Sequence, residues 1–309
     1  KNDMNTILFS APYMIPSLPR FRPILEGYGL ALIVPEVHER LSEAEILAYA
    51  GQFDGTICGD DHYTPRVLAA CAPRLKIISK WGTGIDSIDR QAAAALGIRI
   101  GNTPNAFTLP VADSVLGYML AFARRHPWMD RAVKAGVWDK LPGRSLSECT
   151  LGVVGVGTIG KAVVRRARAF GMTILGNDII EIDHVFIKET AIEMTSLEDL
   201  LQRADFVSLN SDLNPTSHHL MNARTLACMR HTGVLINTAR GPIVDELALI
   251  AALQAGQIAG AALDVYEHEP LPHTSPLCQM DNVMLAPHNA NSSPAAWERV
   301  HLNTIRNLL

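Results

Sequence analysis

Short, continuously apolar runs alternate through nearly the whole chain with longer stretches in which apolar side chains recur every three or four positions. Residues 6–9, 31–34, 55–58, 75–79 and 99–100 are too short for amphipathic helices and predict buried strands, whereas residues 42–50 and 87–96 carry helical spacing. Such alternation implies a parallel sheet with helices on both faces. A longer helical stretch, 109–125, leads into a second unit of the same kind. Its strands are predicted at 151–154, 173–176, 206–209, 234–237, 261–265 and 283–286, with helices such as 196–203 and 245–255 between them. Six strands suit a full dinucleotide-binding fold better than half of one. Helical spacing resumes from Ser293 after Pro287. The fold class is therefore α/β, with two doubly wound parallel-sheet domains. No short repeat is present, which excludes solenoids and propellers.

At the start of the second unit, Val153-Val154-Gly155-Val156-Gly157-Thr158-Ile159-Gly160 joins a strand to a stretch in which Ile159, Ala162, Val163, Ala167 and Phe170 recur at helical spacing. Gly171 can close that helix. A glycine-rich turn in this setting is where a dinucleotide pyrophosphate sits. Gly155 permits the tight turn, Gly157 lets backbone N–H groups approach the phosphates, and Gly160 lets the helix pack close to its strand. The next strand delivers Asp178, placed to accept hydrogen bonds from the adenosine ribose hydroxyls and to repel a 2′-phosphate. No lysine or arginine follows before Lys188, so the expected cofactor is NAD.

Composition narrows the partners. The 309 residues are 48% hydrophobic and 19% charged, enough for two packed cores and too apolar for disorder. A net charge of −4 without runs of like charge leaves no basic footprint for nucleic acid, so a small-molecule partner is expected. Cys58, Cys71, Cys149, Cys228 and Cys278 are scattered without a C-x-x-C pair, indicating neither a zinc site nor a disulfide framework and fitting reduced, cytoplasmic thiols. His218-His219 lack ligand spacing and are expected to point apart on an exposed loop, and no metal is expected. No apolar stretch approaches the ~18 residues needed to span a bilayer, and no signal-peptide pattern opens the sequence, so no membrane association is expected. Lys1-Asn2-Asp3 precede a methionine, and Leu308-Leu309 stop inside a helical pattern, so a few further residues are expected beyond the end.

Three segments follow predicted strands of the second unit: Asn237-Thr238-Ala239-Arg240-Gly241, Asp264-Val265-Tyr266-Glu267-His268-Glu269-Pro270 and Ala286-Pro287-His288-Asn289-Ala290. Ligands of open parallel sheets bind beyond the carboxyl ends of the strands. An arginine, a glutamate and a histidine are thereby expected near a nicotinamide. Reduction of a 2-oxo acid needs a cation that holds the carboxylate bidentately, which Arg240 supplies. It also needs a proton donor titrating near neutrality and a carboxylate to orient it, which His288 and Glu269 supply. Glu267 is the rival carboxylate. Trp81 and Trp297 are read either as pocket lining or as buried aromatics.

These motifs resemble those of the D-isomer-specific 2-hydroxyacid dehydrogenase family, in which N-x-A-R-G, D-V-x-x-x-E-P and P-H-x-A carry the arginine, glutamate and histidine. Lys80-Trp81-Gly82-Thr83-Gly84-Ile85-Asp86, Asn102-Thr103-Pro104, Val111-Ala112-Asp113 and Ala135-Gly136-Val137-Trp138 also resemble family segments, so the likeness covers nearly the whole chain. It implies a Rossmann-type cofactor domain, residues 106–290, inserted into a flavodoxin-like substrate domain, residues 1–105 plus 291–309. Gly82, Thr83 and Gly84 would offer amides to the substrate carboxylate beside Arg240, and Thr83 would also approach the cofactor. Thr158 and Ile159 would face the pyrophosphate, Thr238 and Ala239 would line the nicotinamide, and Asp264 would bind its carboxamide. Trp138 falls in what resembles the family's dimer arm, which implies a homodimer.

The likeness has departures. Asn210-Ser211-Asp212-Leu213 stand where many relatives have H-x-P-L, leaving Ser211 as a backbone contact to the cofactor, and Asp113 stands where glutamate is common. The implied activity is NAD-dependent interconversion of a small D-2-hydroxy acid and its 2-oxo acid. The chain looks most like 3-phosphoglycerate dehydrogenase-like members, with glyoxylate or hydroxypyruvate reduction as the alternative. A phosphate would need extra cations, for which Arg20, Arg22 and Lys80 are candidates. Formate dehydrogenases pair the histidine with glutamine, which Glu269 argues against. A dinucleotide-sensing corepressor, which resembles these enzymes and keeps the triad, is the alternative from another class.

Overall fold

The computed structural model describes residues 4–309, and Lys1-Asn2-Asp3 lie outside the described residues. The chain runs through β1 (Asn5–Phe9), α1 (Leu18–Gly27), β2 (Leu30–Ile33), α2 (Glu43–Leu47), β3 (Gly55–Cys58), α3 (Pro65–Cys71), β4 (Ile77–Lys80), α4 (Arg90–Ala95) and β5 (Arg99–Gly101). It continues with α5 (Thr108–Arg124), α6 (His126–Lys134), β6 (Thr150–Val154), α7 (Thr158–Ala169), β7 (Thr173–Asn177), α8 (His184–Thr190), β8 (Glu193–Met194), α9 (Leu197–Arg203) and β9 (Phe206–Leu209). Then follow α10 (Ala223–Ala227), β10 (Val234–Asn237), α11 (Glu246–Gln254), β11 (Gly260–Leu263), β12 (Val283–Leu285) and α12 (Pro294–Leu308). Two compact units result: Lys1–Phe107 with Ser293–Leu309, and Thr108–Ser292.

The first unit holds a five-stranded parallel sheet in the order β2-β1-β3-β4-β5, the flavodoxin-like order. Leu8, Ile57 and Ile78 are fully buried on neighbouring strands, as parallel strands covered on both faces require. Helix α12 lies along β4 and β5 and is fixed by polar bonds as well as packing. Ser79 Oγ donates to Thr304 O at 2.7 Å, Trp81 Nε1 donates to His301 Nδ1 at 2.9 Å, and Asn307 Nδ2 donates to Asn102 O at 2.8 Å. The indole donor requires His301 to accept at Nδ1, and burial holds the pKa of His301 below its ordinary value. Trp81 is 4% exposed, which settles it as a buried aromatic.

The second unit has seven parallel strands in the order β12-β11-β10-β9-β6-β7-β8, which reverses direction at β6 as a Rossmann sheet does. The six expected strands are joined by β8, a two-residue edge strand too short to leave a periodic signal. Gly152 and Gly176 sit in β6 and β7 where a Cβ would come within 2.3 Å of Leu200 and 2.6 Å of Met194, so helix α9 and strand β8 can approach the sheet only over glycine.

Local chemistry moved several boundaries. The stretch expected to be helical from Ser87 begins only at Arg90. Ile88 pairs with Tyr63 in an isolated parallel bridge, and Asp89 caps α4 by accepting from Ala92 N at 2.8 Å. Helix α1 contains Pro23 and has Pro19 in its first turn, which reads as punctuation, yet burial of Leu18, Phe21 and Leu25 holds it together.

Asp61 is the least comfortable charge of the first unit. It is fully buried, accepting from Ser10 Oγ at 2.5 Å and Leu41 N at 2.8 Å. Burial pushes its pKa up to about 6 in spite of those bonds. With the folded value above the unfolded one, the fold favours the protonated acid, so its contribution to stability is greatest below pH ~4 and falls as pH rises towards 6. Two pKa units correspond to about 3 kcal/mol. Relative to the unsubstituted protein, Asp61→Asn should therefore gain about this much between pH 4 and pH 7 in urea unfolding, and a difference that stays flat with pH would contradict the assignment.

Candidate active site

A parallel sheet brings all its carboxyl ends to one edge, and in the second unit that edge collects the glycine turn, Asp178, Ser211, Arg240, Asp264 and the segment ending in His288. Gly155 has φ +88°, and a Cβ there would lie 2.7 Å from Ser211 N, so the turn after β6 and the loop after β9 touch through a glycine. At Gly160 a Cβ would lie 2.0 Å from Gly155 O, which lets α7 begin directly against the turn. Gly157 differs. It caps α7 in an extended conformation, and nothing lies within 4 Å of its Cβ position. The exposed N-terminus of α7, with Thr158 exposed and Ile159 half-buried, thus opens onto free space at its positive end. Asp178 follows β7 and accepts from Val156 N at 2.7 Å and from Ile180 N at 3.1 Å. It therefore braces the glycine turn as well as offering lone pairs outward.

Around β10 the side chain of Asn237 shapes the next turn, accepting from Ala239 N at 3.1 Å and donating to Arg240 O at 2.9 Å. Arg240 is half-buried and donates from Nη1 to Ala239 O at 2.8 Å. At Gly241 a Cβ would lie 1.9 Å from the backbone carbon of Tyr266, so the Arg240 turn and the segment leading to Glu269 are in direct backbone contact. Glu269 then accepts from Tyr266 N at 3.0 Å with one oxygen, while the other lies 3.0 Å from His288 Nδ1. Their side chains are 14% and 22% exposed, so the pair is largely screened from water while His288 keeps an accessible face.

Asp264 is 1% exposed, and its oxygens accept from Asn289 N at 2.8 Å and Ala290 N at 2.9 Å. Its own carbonyl accepts from His288 N at 2.7 Å, and its N–H donates to Asn237 O at 3.0 Å. The visible task of Asp264 is to hold the turn that presents His288, whose φ of 50° needs such support. Burial pushes the carboxyl pKa up, and the two backbone donors oppose that.

In the first unit, Gly82 is buried with φ +114°, Gly84 is half-buried and Thr83 is exposed. Their turn is strapped to the following segment. Thr103 N donates to Gly82 O at 2.8 Å, Thr83 Oγ1 donates to Thr103 O at 2.8 Å, and Asn102 Nδ2 donates to Thr83 O at 2.6 Å.

Motif reading missed Tyr266, whose hydroxyl lies 2.8 Å from Ala286 O and 3.0 Å from Leu263 O and so ties β11 to β12. It also missed the brace between His219 Nε2 and Glu267 Oε1, which leaves Glu269 as the partner of His288. His218 and His219 do not point apart as expected. A φ of 48° at His219 turns its ring back, and the two rings stack with centroids 4.1 Å apart. Among the described residues no group of three potential ligands could hold a metal ion.

Residues 116–290 match the family profile described as D-isomer-specific 2-hydroxyacid dehydrogenase, NAD binding domain. The chain belongs to that family. It is 41% identical to a glyoxylate reductase of Korarchaeum cryptofilum over 77% of this chain and 73% of that protein. Against a D-3-phosphoglycerate dehydrogenase of Methanocaldococcus jannaschii it is 38% identical over 84% of this chain but only 50% of that protein. A D-lactate dehydrogenase of Aquifex aeolicus, solved with NAD and lactic acid, superposes with a TM-score of 0.86 at 28% identity, over 98% of this chain and 93% of that one. The protein is thus an NAD-dependent oxidoreductase of 2-hydroxy acids, and these relatives do not favour the corepressor alternative.

Features of the second unit fit the dinucleotide. The Gly157 Cβ position is open, and the hydroxyls of Ser211 and Thr238 are buried without a hydrogen-bond partner among the described residues. An unsatisfied buried hydroxyl costs about 1–3 kcal/mol, so a polar ligand beside these loops would relieve it. The first two glycines can be told apart. Gly157→Ala should keep the melting temperature within about 2 °C yet weaken NADH binding tenfold or more in a fluorescence titration, because its methyl group enters only ligand space. Gly155→Ala should lose stability and binding together.

Proposed function

We propose that Arg240, Glu269 and His288 form the catalytic constellation and that the substrate is a small 2-oxo acid without a phosphate group. The carrying observation is the largely buried Glu269 carboxylate, 3.0 Å from His288 Nδ1, on a segment in backbone contact with the Arg240 turn. A carboxylate at Nδ1 fixes the ring orientation, favours the protonated form and leaves Nε2 to exchange a proton with the substrate oxygen. In the second unit Arg240 is the group proposed to hold the substrate carboxylate, and in the first unit the amides of Gly82, Thr83 and Gly84 are the donors proposed for a carboxylate. NAD, when bound, supplies or removes the hydride at the substrate carbon. The residues proposed to hold it are Gly155, Gly157, Thr158, Ile159, Gly160, Asp178, Ser211, Thr238, Ala239, Asp264 and Thr83.

The preference for an unphosphorylated acid comes from the cations. Arg20 pairs with Glu298, Arg22 with Glu26 at 3.3 Å and Lys80 with Asp60 at 3.0 Å, so each candidate for a phosphate already has an acid beside it. Glyoxylate, pyruvate or hydroxypyruvate fits such a site better than a phosphorylated analogue. A homodimer is also proposed. Trp138 is 86% exposed in the segment after α6, beside the exposed Val137, which is apolar surface suited to a second copy. All five cysteines are free thiols, which supports a cytoplasmic setting. No helix of the described residues is long and apolar enough to cross a membrane.

With NADH as reductant, a panel of phosphorylated and unphosphorylated 2-oxo acids should show turnover confined to the unphosphorylated ones, with NADPH much poorer. Arg240→Ala should cost at least about a hundredfold in kcat/KM, roughly 3 kcal/mol. Near-normal rates for that variant on every acid would sink the assignment. Sedimentation velocity should give twice the chain mass, and Trp138→Ala should shift the boundary towards the monomer.

A further inference from the structure

Lys80 closes strand β4, and its side chain is only 5% exposed. Its ammonium donates to Trp81 O at 2.9 Å and lies 3.0 Å from Asp60 Oδ1. A Cβ on Gly82 would be 3.4 Å from the same nitrogen. The charge therefore sits directly against the Gly82 turn, at the carboxyl end of the first unit's sheet, where ligands of such sheets gather. Asp60 follows β3 and is 37% exposed. Its carboxylate reaches into that edge from the water side and occupies one of the three donor directions of the lysine.

We propose that Asp60 is a specificity-determining residue that takes the place of a substrate's second anionic group on Lys80. This deepens the reading of the Gly82 turn as a carboxylate site and rests on it. A monoanionic 2-oxo acid asks of this unit only the carboxylate site at the turn. A dianionic one, a 2-oxo dicarboxylate or a phosphorylated acid, brings a second charge whose nearest buried cation in this unit is already matched. Taking Asp60 away leaves the buried ammonium with the Trp81 carbonyl as its hydrogen-bond acceptor and the buried Asp61 as the remaining acid that feels its charge, and a distal carboxylate of the substrate restores the lost pair.

The experiment compares oxaloacetate with pyruvate in Asp60→Ala and in Asp60→Ala combined with Lys80→Met. Because a buried lysine stripped of its partner weakens the fold, Asp60→Asn, which keeps the shape, is measured beside them, with thermal melts of all variants. The ratio of kcat/KM for oxaloacetate over pyruvate should rise tenfold or more on loss of the carboxylate, carried by KM, and return to its starting value in the double variant. Oxaloacetate binding, read from tryptophan fluorescence without turnover, should strengthen in parallel. An unchanged ratio and unchanged binding in both folded single variants overturn the proposal, as does a gain that survives removal of Lys80. If the unsubstituted protein oxidises NADH with no 2-oxo acid, the functional reading falls, and the oxaloacetate binding comparison still decides the role of Asp60.

Discussion

The candidate site depends on one buried carboxylate. Asp264 closes a backbone path from β10 to the histidine turn: its N–H binds the end of one strand, its carbonyl binds His288 N, and its two oxygens bind the next two amides. Backbone amides are fixed dipoles, so a carboxylate shared among them orients a turn without contributing any mobile element. Glu269 then needs only to meet a ring whose backbone is already fixed. Geometry of this kind lets a general acid act without reorganisation at the moment of reaction.

Much of this was legible in the sequence because parallel sheets impose a strong code. Strands buried on both faces leave continuous apolar runs, and the residue after each run falls on the ligand edge, so Gly155, Asp178, Arg240 and His288 declare themselves by position as much as by type. What stayed hidden depended on contacts between segments far apart in sequence. Nothing in the order of residues indicates that Glu267 is engaged by His219, that Tyr266 spans two strands, or that Asp264 braces the histidine turn through backbone amides. The helix with Pro23 shows the converse, since proline disfavours an element that burial of Phe21 and Leu25 sustains.

Charge is handled differently in the two units. The second keeps its acids for orientation: Asp178 on the glycine turn, Asp264 on the histidine turn and Glu269 on the histidine itself. The first sets acids beside bases at its ligand edge and tolerates a fully buried Asp61 whose ionisation works against the fold. A site that is to attract one small anion gains from having its remaining positive charge cancelled within the protein, because an unmatched cation would also attract the wrong anions.

The contact at Gly241 has a consequence for how such an enzyme can change. With backbone packed on backbone, neither the Arg240 turn nor the Glu269 segment can shift by even a methyl group without displacing the other. The Arg240 turn and the Glu269 segment thus change together or not at all, and a substitution that moves one has to be accommodated by the other.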